Sequence, residues 1–429
     1  MALVESQDLD SAREWHLPQD QYSNRASSLT PSSLSYLSQI GAWPLIDASR
    51  VQPYHHMRVW DGLSTSGRIT FDSPSLDSPI AYMTENQNLT RALTKRLDEL
   101  PLISLFDKSS VENIHLGPPP SSSATESSSL NLSSYPHITL SSKHTIAARL
   151  LVGADGINSP ARTFAGIQTR GWDYNRHGLV ATLKLTPVAG HDQNQPRSVT
   201  AYQRFLPTGP IALLALPDDY ATLVWTTTPA QAAHLRSLSM VDFIAMVNAA
   251  FRLEVVDLDY MFSQPSGQVD ELQWRESVSP TTAATENGEL PHLIKSVQEG
   301  STASFPLRLR QSTTYTTHRT ALIGDAAHTV HPLAGQGLNM GLGDSRSLAS
   351  AIEYAVEHGA DIGNEINCLD RYNSDMWMSN NRMLGAVDKL HWLYSITNGP
   401  VVGLRGLGLK AVDNLGPVKG WFMRQAGGL

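Results

Sequence analysis

The segment Ala321–Asp344, ALIGDAAHTVHPLAGQGLNMGLGD, constrains the fold of this chain more than any other segment. An apolar run ends there in Gly324-Asp325, and a glycine-rich turn at 335–337 opens a run compatible with a helix from 338 to 352. A strand that ends in an acid can place its carboxylate on a ribitol hydroxyl, and a helix N-terminus presents free N–H groups and a positive dipole. This combination predicts a bound flavin rather than a bare nucleotide; the alternative is an ordinary strand–turn–helix crossover.

A second acidic turn lies 170 positions upstream, at Asp155. The strand-like residues 150–152 lead into the sequence GADG at 153–156, and the pattern NS..R follows at 158–162. An Asp-Gly turn is common in proteins and alone predicts little about ligand binding.

Together, the two motifs resemble the flavin fingerprints of the aromatic-ring hydroxylases, the group-A flavoprotein monooxygenases. The similarity is to the branch that hydroxylates the ring of ubiquinone precursors, and it runs from about residue 1 to about 425, with breaks at a serine-rich loop and at 252–300. In that family the two motifs stand at this separation, which makes the combination specific. The resemblance implies FAD as the cofactor.

The resemblance also implies roles for individual residues. Asp325 is expected to meet the ribitol, the N–H groups of Leu338 and Asn339 to reach the flavin pyrimidine, and Arg25 to lie along the diphosphate near Asp155. The predicted cofactor-binding residues are Glu5, Arg25, Asp155, Gly156, Asp325, Gly335, Gly337, Leu338 and Asn339. We expect no catalytic side chain, because the flavin carries the chemistry; Pro332 is expected near its ring.

The N-terminus departs from the family pattern. Residues 2–4 read as a strand that ends at Glu5, where an acid is expected to bind ribose. The strand, G-x-G-x-x-G turn and helix that normally come before it are not found in the sequence. We therefore expect a truncated product, an alternative start or a partial gene model.

The family's architecture predicts an α/β fold. It consists of a two- or three-layer Rossmann-like FAD-binding domain that lacks its N-terminal segment, an antiparallel-sheet substrate domain and C-terminal helices. The predicted FAD-binding domain comprises 1–57, 80–170 and 305–360, the substrate domain 58–79 and 171–304, and the helical region 361–429. The serine-rich segment 117–134 is expected to be a disordered loop, and 252–300 to be irregular.

Composition excludes several functions. The net charge of -8 argues against general nucleic-acid binding. The lone Cys368 excludes an intrachain disulfide framework, and His328 and His331 lack companions at ligand spacing, so we expect no metal site. The segment 401–423 is compatible with a membrane-surface or partner-binding face, or with a helix that closes the core.

The resemblance implies a flavin-dependent ring hydroxylase that acts at C5 of a polyprenyl-4-hydroxybenzoate-type intermediate with O2. It further implies ferredoxin with its reductase, or NAD(P)H, as electron donor. It also implies peripheral contact with the matrix side of the mitochondrial inner membrane in the coenzyme Q biosynthetic complex, although no import signal is visible. The alternatives are a flavin-free remnant that acts as an interaction partner, and a sibling flavin hydroxylase or epoxidase.

Overall fold

The computed structural model describes residues 1–64, 67–117, 131–187, 199–281, 284–285, 287–330, 336–396, 402–406 and 408. The strands of this part are β1 (Ala2–Val4), β2 (Ala26–Leu29), β3 (Val51–Tyr54), β4 (His56–Asp61), β5 (Arg68–Asp72), β6 (Ala81–Glu85), β7 (Ser104–Phe106), β8 (Val111–Leu116), β9 (Pro136–Leu140), β10 (Thr145–Ala147), β11 (Leu151–Gly153), β12 (Thr169–Leu185), β13 (Thr200–Leu206), β14 (Gly209–Ala215), β15 (Tyr220–Thr227), β16 (Ile294–Val297), β17 (Ala303–Ser312), β18 (Thr316–Thr317), β19 (Thr320–Leu322) and β20 (His328–Thr329). The helices are α1 (Leu9–Arg13), α2 (Pro31–Gln39), α3 (Asn86–Asp98), α4 (Pro160–Phe164), α5 (Pro229–Ser237), α6 (Met240–Arg252), α7 (Val255–Ser263), α8 (Gln268–Val278), α9 (Gly337–Glu357) and α10 (Asp370–Ser395). The predicted α/β class is confirmed.

The largest element is a mainly antiparallel sheet. Its strands lie in the order β20-β17-β12-β15-β14-β13-β4-β5, with β16 beside β12, and β4 and β13 run parallel. β13, β14 and β15 lie within the segment 171–304, for which the family's architecture predicts an antiparallel sheet, and β5 lies within 58–79. β12 extends over 17 residues.

The two faces of this sheet have different neighbours. On β15, Leu223 and Trp225 are fully buried in a core that includes Phe251 of α6 and Met261 of α7. The alternate residues Thr222 and Val224 line a cavity on the other face. Because successive side chains of a strand point to opposite faces, this alternation divides the sheet into a helix-packed side and a cavity side.

Shorter sheets make up the remainder. β1 pairs in parallel with β7, and β11 pairs in parallel with β19, which β18 extends. A second core lies here, where Leu322 packs with Leu348 of α9 and Tyr372 of α10. The Tyr372 hydroxyl donates a hydrogen bond of 2.6 Å to the Leu322 carbonyl, so α10 holds the end of β19 in place.

One expectation about secondary structure is wrong. The segment 252–300 contains α7, α8 and β16 instead of being irregular. The sequence carries the signal, since Leu258 and Met261 stand three positions apart and are both buried on one face of α7.

Other expectations remain predictions. Residues 118–130 of the serine-rich loop, and most of 401–423, lie outside the described residues. The division of the chain into domains also stays a prediction. Among the helices that the structure describes, none has both the length and the apolar character that crossing a bilayer would require.

Leu223→Ala is expected to lower the free energy of unfolding by about 3 kcal/mol, because it leaves a cavity in the helix-packed core. The matched variant Leu102→Ala should change it by about 0.5 kcal/mol or less, since Leu102 is 86% exposed. Denaturant unfolding of both variants measures the difference. Losses of equal size would contradict the assigned packing.

Candidate functional site

A cavity of about 1530 Å³ lies between the large sheet and the two acidic motifs. Arg25, Gly156, Asp325, Gly337 and Leu338, all predicted to bind the cofactor, border this cavity. The two motifs, although far apart in sequence, therefore face one common space, as the flavin hypothesis requires.

The loop after β19 is held by a buried carboxylate. The Gly324 N–H donates to Asp344 Oδ2 at 2.9 Å, and φ of Gly324 is +58°, a conformation that favours glycine. His328 Nε2 lies 2.6 Å from the same oxygen, and the Asn380 amide donates to Oδ1 at 2.9 Å. Sequence reasoning missed Asp344 and Asn380, although Asp344 follows the glycine-rich turn on the same predicted helix.

Asp325 projects into the cavity from this loop. Its side chain is exposed to the cavity but surrounded by protein, and this desolvation raises the pKa of its carboxyl group above the ordinary value. The nearby His328 partly offsets the shift. The carboxylate is thus in an unfavourable environment unless a ligand offers it hydrogen-bond donors.

The N-terminus of α9 also faces the cavity. Gly337, Leu338 and Gly341 line it, and the N–H groups of the first helical turn have no intrahelical partners. The Asn339 side chain does not line the cavity. Its Oδ1 accepts from the Thr30 N–H at 3.1 Å and its Nδ2 donates to the Ser28 carbonyl at 2.8 Å, so Asn339 fixes α9 against β2.

Within the Asp155 motif, the glycine and the carboxylate have different neighbours. Gly156 lines the cavity, but Asp155 Oδ2 accepts from the Ala161 N–H at 3.0 Å at the start of α4. Within the described residues, Asp155 and Arg25 form no ion pair. Arg25 instead presents an exposed side chain to the cavity from the start of β2.

Glu5 lies away from the cavity, and two further predicted residues are outside the described part of the chain. Glu5 does not border the cavity, and its carboxylate accepts from the Gln7 N–H at 2.8 Å. Pro332 and Gly335 lie outside the described residues. The roles assigned to Glu5, Pro332 and Gly335 therefore remain predictions.

A C-terminal wall closes one side of the cavity and was not predicted. Its residues Tyr394 and Arg405 border the cavity, and the Tyr394 ring stacks on Phe205 of β13 with centroids 3.8 Å apart. Arg405 Nε donates to Asp61 Oδ2 at 2.6 Å and Nη2 donates to Oδ1 at 2.9 Å, with both side chains buried. This fork-shaped ion pair attaches the wall to the end of β4.

The cavity fits a flavin. Among the described residues, a Cβ added to Gly337 would meet Val330 alone, at an ordinary contact of 3.5 Å, so the described neighbours do not require glycine there. Without a side chain at Gly337, a flavin ring can approach the N-terminus of α9 closely. A guanidinium, a carboxylate and a helix N-terminus around one apolar space suit the diphosphate, ribitol and ring of FAD, respectively.

Sequence comparisons agree with this geometry. A family model described as FAD binding domain matches residues 16–377. The chain is 39% identical over 432 residues to "Ubiquinone biosynthesis monooxygenase COQ6, mitochondrial" of Schizosaccharomyces pombe, with 99% of this chain and 85% of the relative covered. It is 38% identical over 404 residues to the Homo sapiens protein of the same name, with 94% and 81% covered.

Solved structures share the fold. p-Nitrophenol 4-monooxygenase PnpA of Pseudomonas putida DLL-E4 has a TM-score of 0.64 at 14% identity and covers 99% of this chain and 91% of its own. PqsL of P. aeruginosa, in complex with 2-aminobenzoylacetate, has a TM-score of 0.61 at 19% identity, with 96% and 92% covered. At these identities the likeness concerns the fold alone.

Asp325→Asn is expected to raise the unfolding temperature of the flavin-free chain at neutral pH. Burial raises the pKa of the Asp325 carboxyl, so its ionised form opposes folding. The gain should shrink as the pH falls below the raised pKa of the folded state and vanish well below 3.8, the ordinary Asp pKa, because the carboxyl is then protonated in both states. Thermal unfolding at both pH values, beside wild type, tests this; a lower unfolding temperature at neutral pH would contradict the assignment.

Gly337→Trp is expected to abolish FAD retention, because the indole would fill the space in front of α9. Gly385→Trp is the matched control, since Gly385 has open space around it, lies on α10 and does not line this cavity. Flavin content per chain after gel filtration gives the readout. Full retention by Gly337→Trp would show that the flavin does not lie against α9.

Proposed function

Because the chain belongs to the family of FAD-dependent ubiquinone biosynthesis monooxygenases, we propose that it hydroxylates C5 of a polyprenyl-4-hydroxybenzoate-type intermediate. The observation that carries the proposal is the shared cavity, which has predicted flavin-binding residues on one side and an apolar sheet face on the other. An apolar face favours a ring with a hydrocarbon chain, because binding removes both from water.

The residues around the cavity have separable roles in this proposal. Arg25 would hold the FAD diphosphate by charge-assisted hydrogen bonds, and Asp325 would accept from ribitol hydroxyls. The N-terminus of α9 would stabilise negative charge at the electron-rich end of the ring. When bound, FAD supplies the activation of molecular oxygen that ring hydroxylation requires.

The protein itself excludes water and orients the substrate. The sheet residues Val180 and Val224 and the wall residue Tyr394 surround the space in which the ring would lie. Exclusion of water from this space strengthens the electrostatic interactions within it and limits unproductive side reactions.

The proposal extends to partners and location. A monooxygenase of this family uses an organic substrate, O2 and a reductant; here we assign a prenylated phenol, with ferredoxin and its reductase or NAD(P)H as the electron source. Relatives carry the word mitochondrial in their names, which supports a mitochondrial location. Peripheral contact with the matrix side of the inner membrane, in a coenzyme Q biosynthetic complex, completes the proposal.

The purified chain is expected to show an absorbance band at about 450 nm, as oxidised flavoproteins do. With a prenylated 4-hydroxybenzoate, O2 and reduced ferredoxin, it should release a product hydroxylated at C5, identified by mass spectrometry and NMR. Gly337→Trp serves as the flavin-deficient control.

Other outcomes of the same assay would identify the alternatives. A folded but colourless chain would support a flavin-free interaction partner. Much faster turnover of a different phenol, or epoxidation of an alkene, would support a sibling enzyme and overturn the substrate assignment.

A further inference from the structure

One cross-strand row of the sheet crosses the floor of the cavity. Its members are paired neighbours on successive strands, and each of them lines the cavity: Ile69, Val59, Gln203, Ala212, Val224, Val180 and Ala303. Six of the seven side chains are apolar. Gln203 of β13 is the exception, near the middle of the row.

The Gln203 side chain faces the cavity and has no hydrogen-bond partner among the described residues. Only 6% of the residue is exposed, and its amide is not among the fully enclosed unpaired groups, so it opens to the cavity. The backbone of Gln203 is paired within the ladder, opposite Ala212 and Val59. The Gln203 amide is therefore the side-chain group in this row that has unpaired hydrogen-bond donors and acceptors.

Protein packing does not explain a glutamine at this position. The amide makes no hydrogen bond with its six apolar neighbours in the row, whereas an apolar side chain of similar size would complete the row. The buried Gln311 differs, because its amide donates to the Tyr315 hydroxyl at 2.9 Å and its carbonyl accepts from the same hydroxyl at 3.2 Å. Gln268 also differs, because its amide donates to the Gln264 carbonyl at 2.9 Å. The Gln203 amide differs from both because it faces the cavity.

A primary amide both donates and accepts hydrogen bonds, so it matches a hydroxyl group, which does the same. The apolar neighbours of Gln203 suit the faces and edges of an aromatic ring. An alkene without heteroatoms, as an epoxidase would bind, would leave the amide unpaired. The site therefore favours a ring that bears an oxygen substituent.

We propose that the Gln203 amide hydrogen-bonds to the hydroxyl group of the substrate ring, and that Gln203 thereby orients the ring and selects phenols over rings without this group. This inference rests on the proposed function, since it names the residue that recognises the phenol. Gln203 is a binding and specificity-determining residue; it transfers no proton and forms no covalent bond.

The test combines a protein variant with a ligand variant. Wild type and Gln203→Leu, both as full chains loaded with FAD, are titrated by calorimetry with 3-prenyl-4-hydroxybenzoate and with 3-prenylbenzoate, which lacks the ring hydroxyl. Wild type is expected to prefer the phenol by about tenfold, the effect of one buried hydrogen bond and its desolvation. In Gln203→Leu this preference should fall to about unity, with 3-prenylbenzoate bound at least as tightly as by wild type.

A stability measurement separates recognition from a merely structural role. The unfolding temperature of ligand-free Gln203→Leu should equal or exceed that of wild type, because no hydrogen bond within the described protein is lost and leucine adds apolar contact with the row. Gln311→Leu is the matched control. It removes a glutamine that is hydrogen-bonded to Tyr315 and does not line the cavity, so it should lower the unfolding temperature and leave the ligand preference unchanged.

The outcomes distinguish this inference from the proposed function. If Gln203→Leu keeps the tenfold preference for the phenol, the role of Gln203 is overturned while the proposed function stands. If wild type retains FAD but binds neither ligand, the proposed function fails and the inference fails with it. Gln203→Met, apolar and of similar length, carries the same test should Gln203→Leu not fold.

Discussion

The carboxylate of Asp344 is the constraint on which the rest of the site depends. It is fully buried, and its partners come from three elements: the Gly324 N–H after β19, the His328 ring of β20 and the Asn380 amide of α10. A carboxylate at this depth is costly when its partners are lost, so these contacts must persist together. They set the course of the loop, and Asp325, the next residue after Gly324, faces the cavity as a result.

The large sheet bounds the cavity on the side opposite this loop. One face is anchored by residues such as Leu223 and Trp225 against α5–α8, and the other bounds the cavity. Groups that face the cavity include an acid with a raised pKa, Asp325, and an amide without a partner, Gln203. The ionised Asp325 weakens the free protein, which is the usual relation between stability and a site built to bind a ligand.

Much of this could be predicted from sequence. The two acidic turns and the glycine-rich opening of α9 have spacings typical of a flavoprotein, and Arg25, Gly156, Asp325, Gly337 and Leu338 do meet at one cavity. Local pattern also predicted the strands at 2–4 and 150–152, because a short apolar run before a turn depends only on near neighbours.

The remainder depends on tertiary contacts. Asp155 caps α4, and Asn339 ties α9 to β2; neither choice of partner can be read from spacing along the chain. The Asp61–Arg405 pair joins residues 344 positions apart. In the sequence, Gln203 is an ordinary polar residue of a strand. Its row of neighbours comes from six other strands, and only the sheet brings them together.

The Asp61–Arg405 pair also has a consequence for biosynthesis. One wall of the cavity is attached to the early strand β4 by a residue that is translated 344 positions later. The nascent protein can begin to form its sheet before Arg405 is made, but this wall cannot be attached until the segment with Arg405 has been synthesised. Cofactor loading that needs the enclosed cavity therefore follows synthesis of that segment, and FAD present at that stage would stabilise the folded form by mass action.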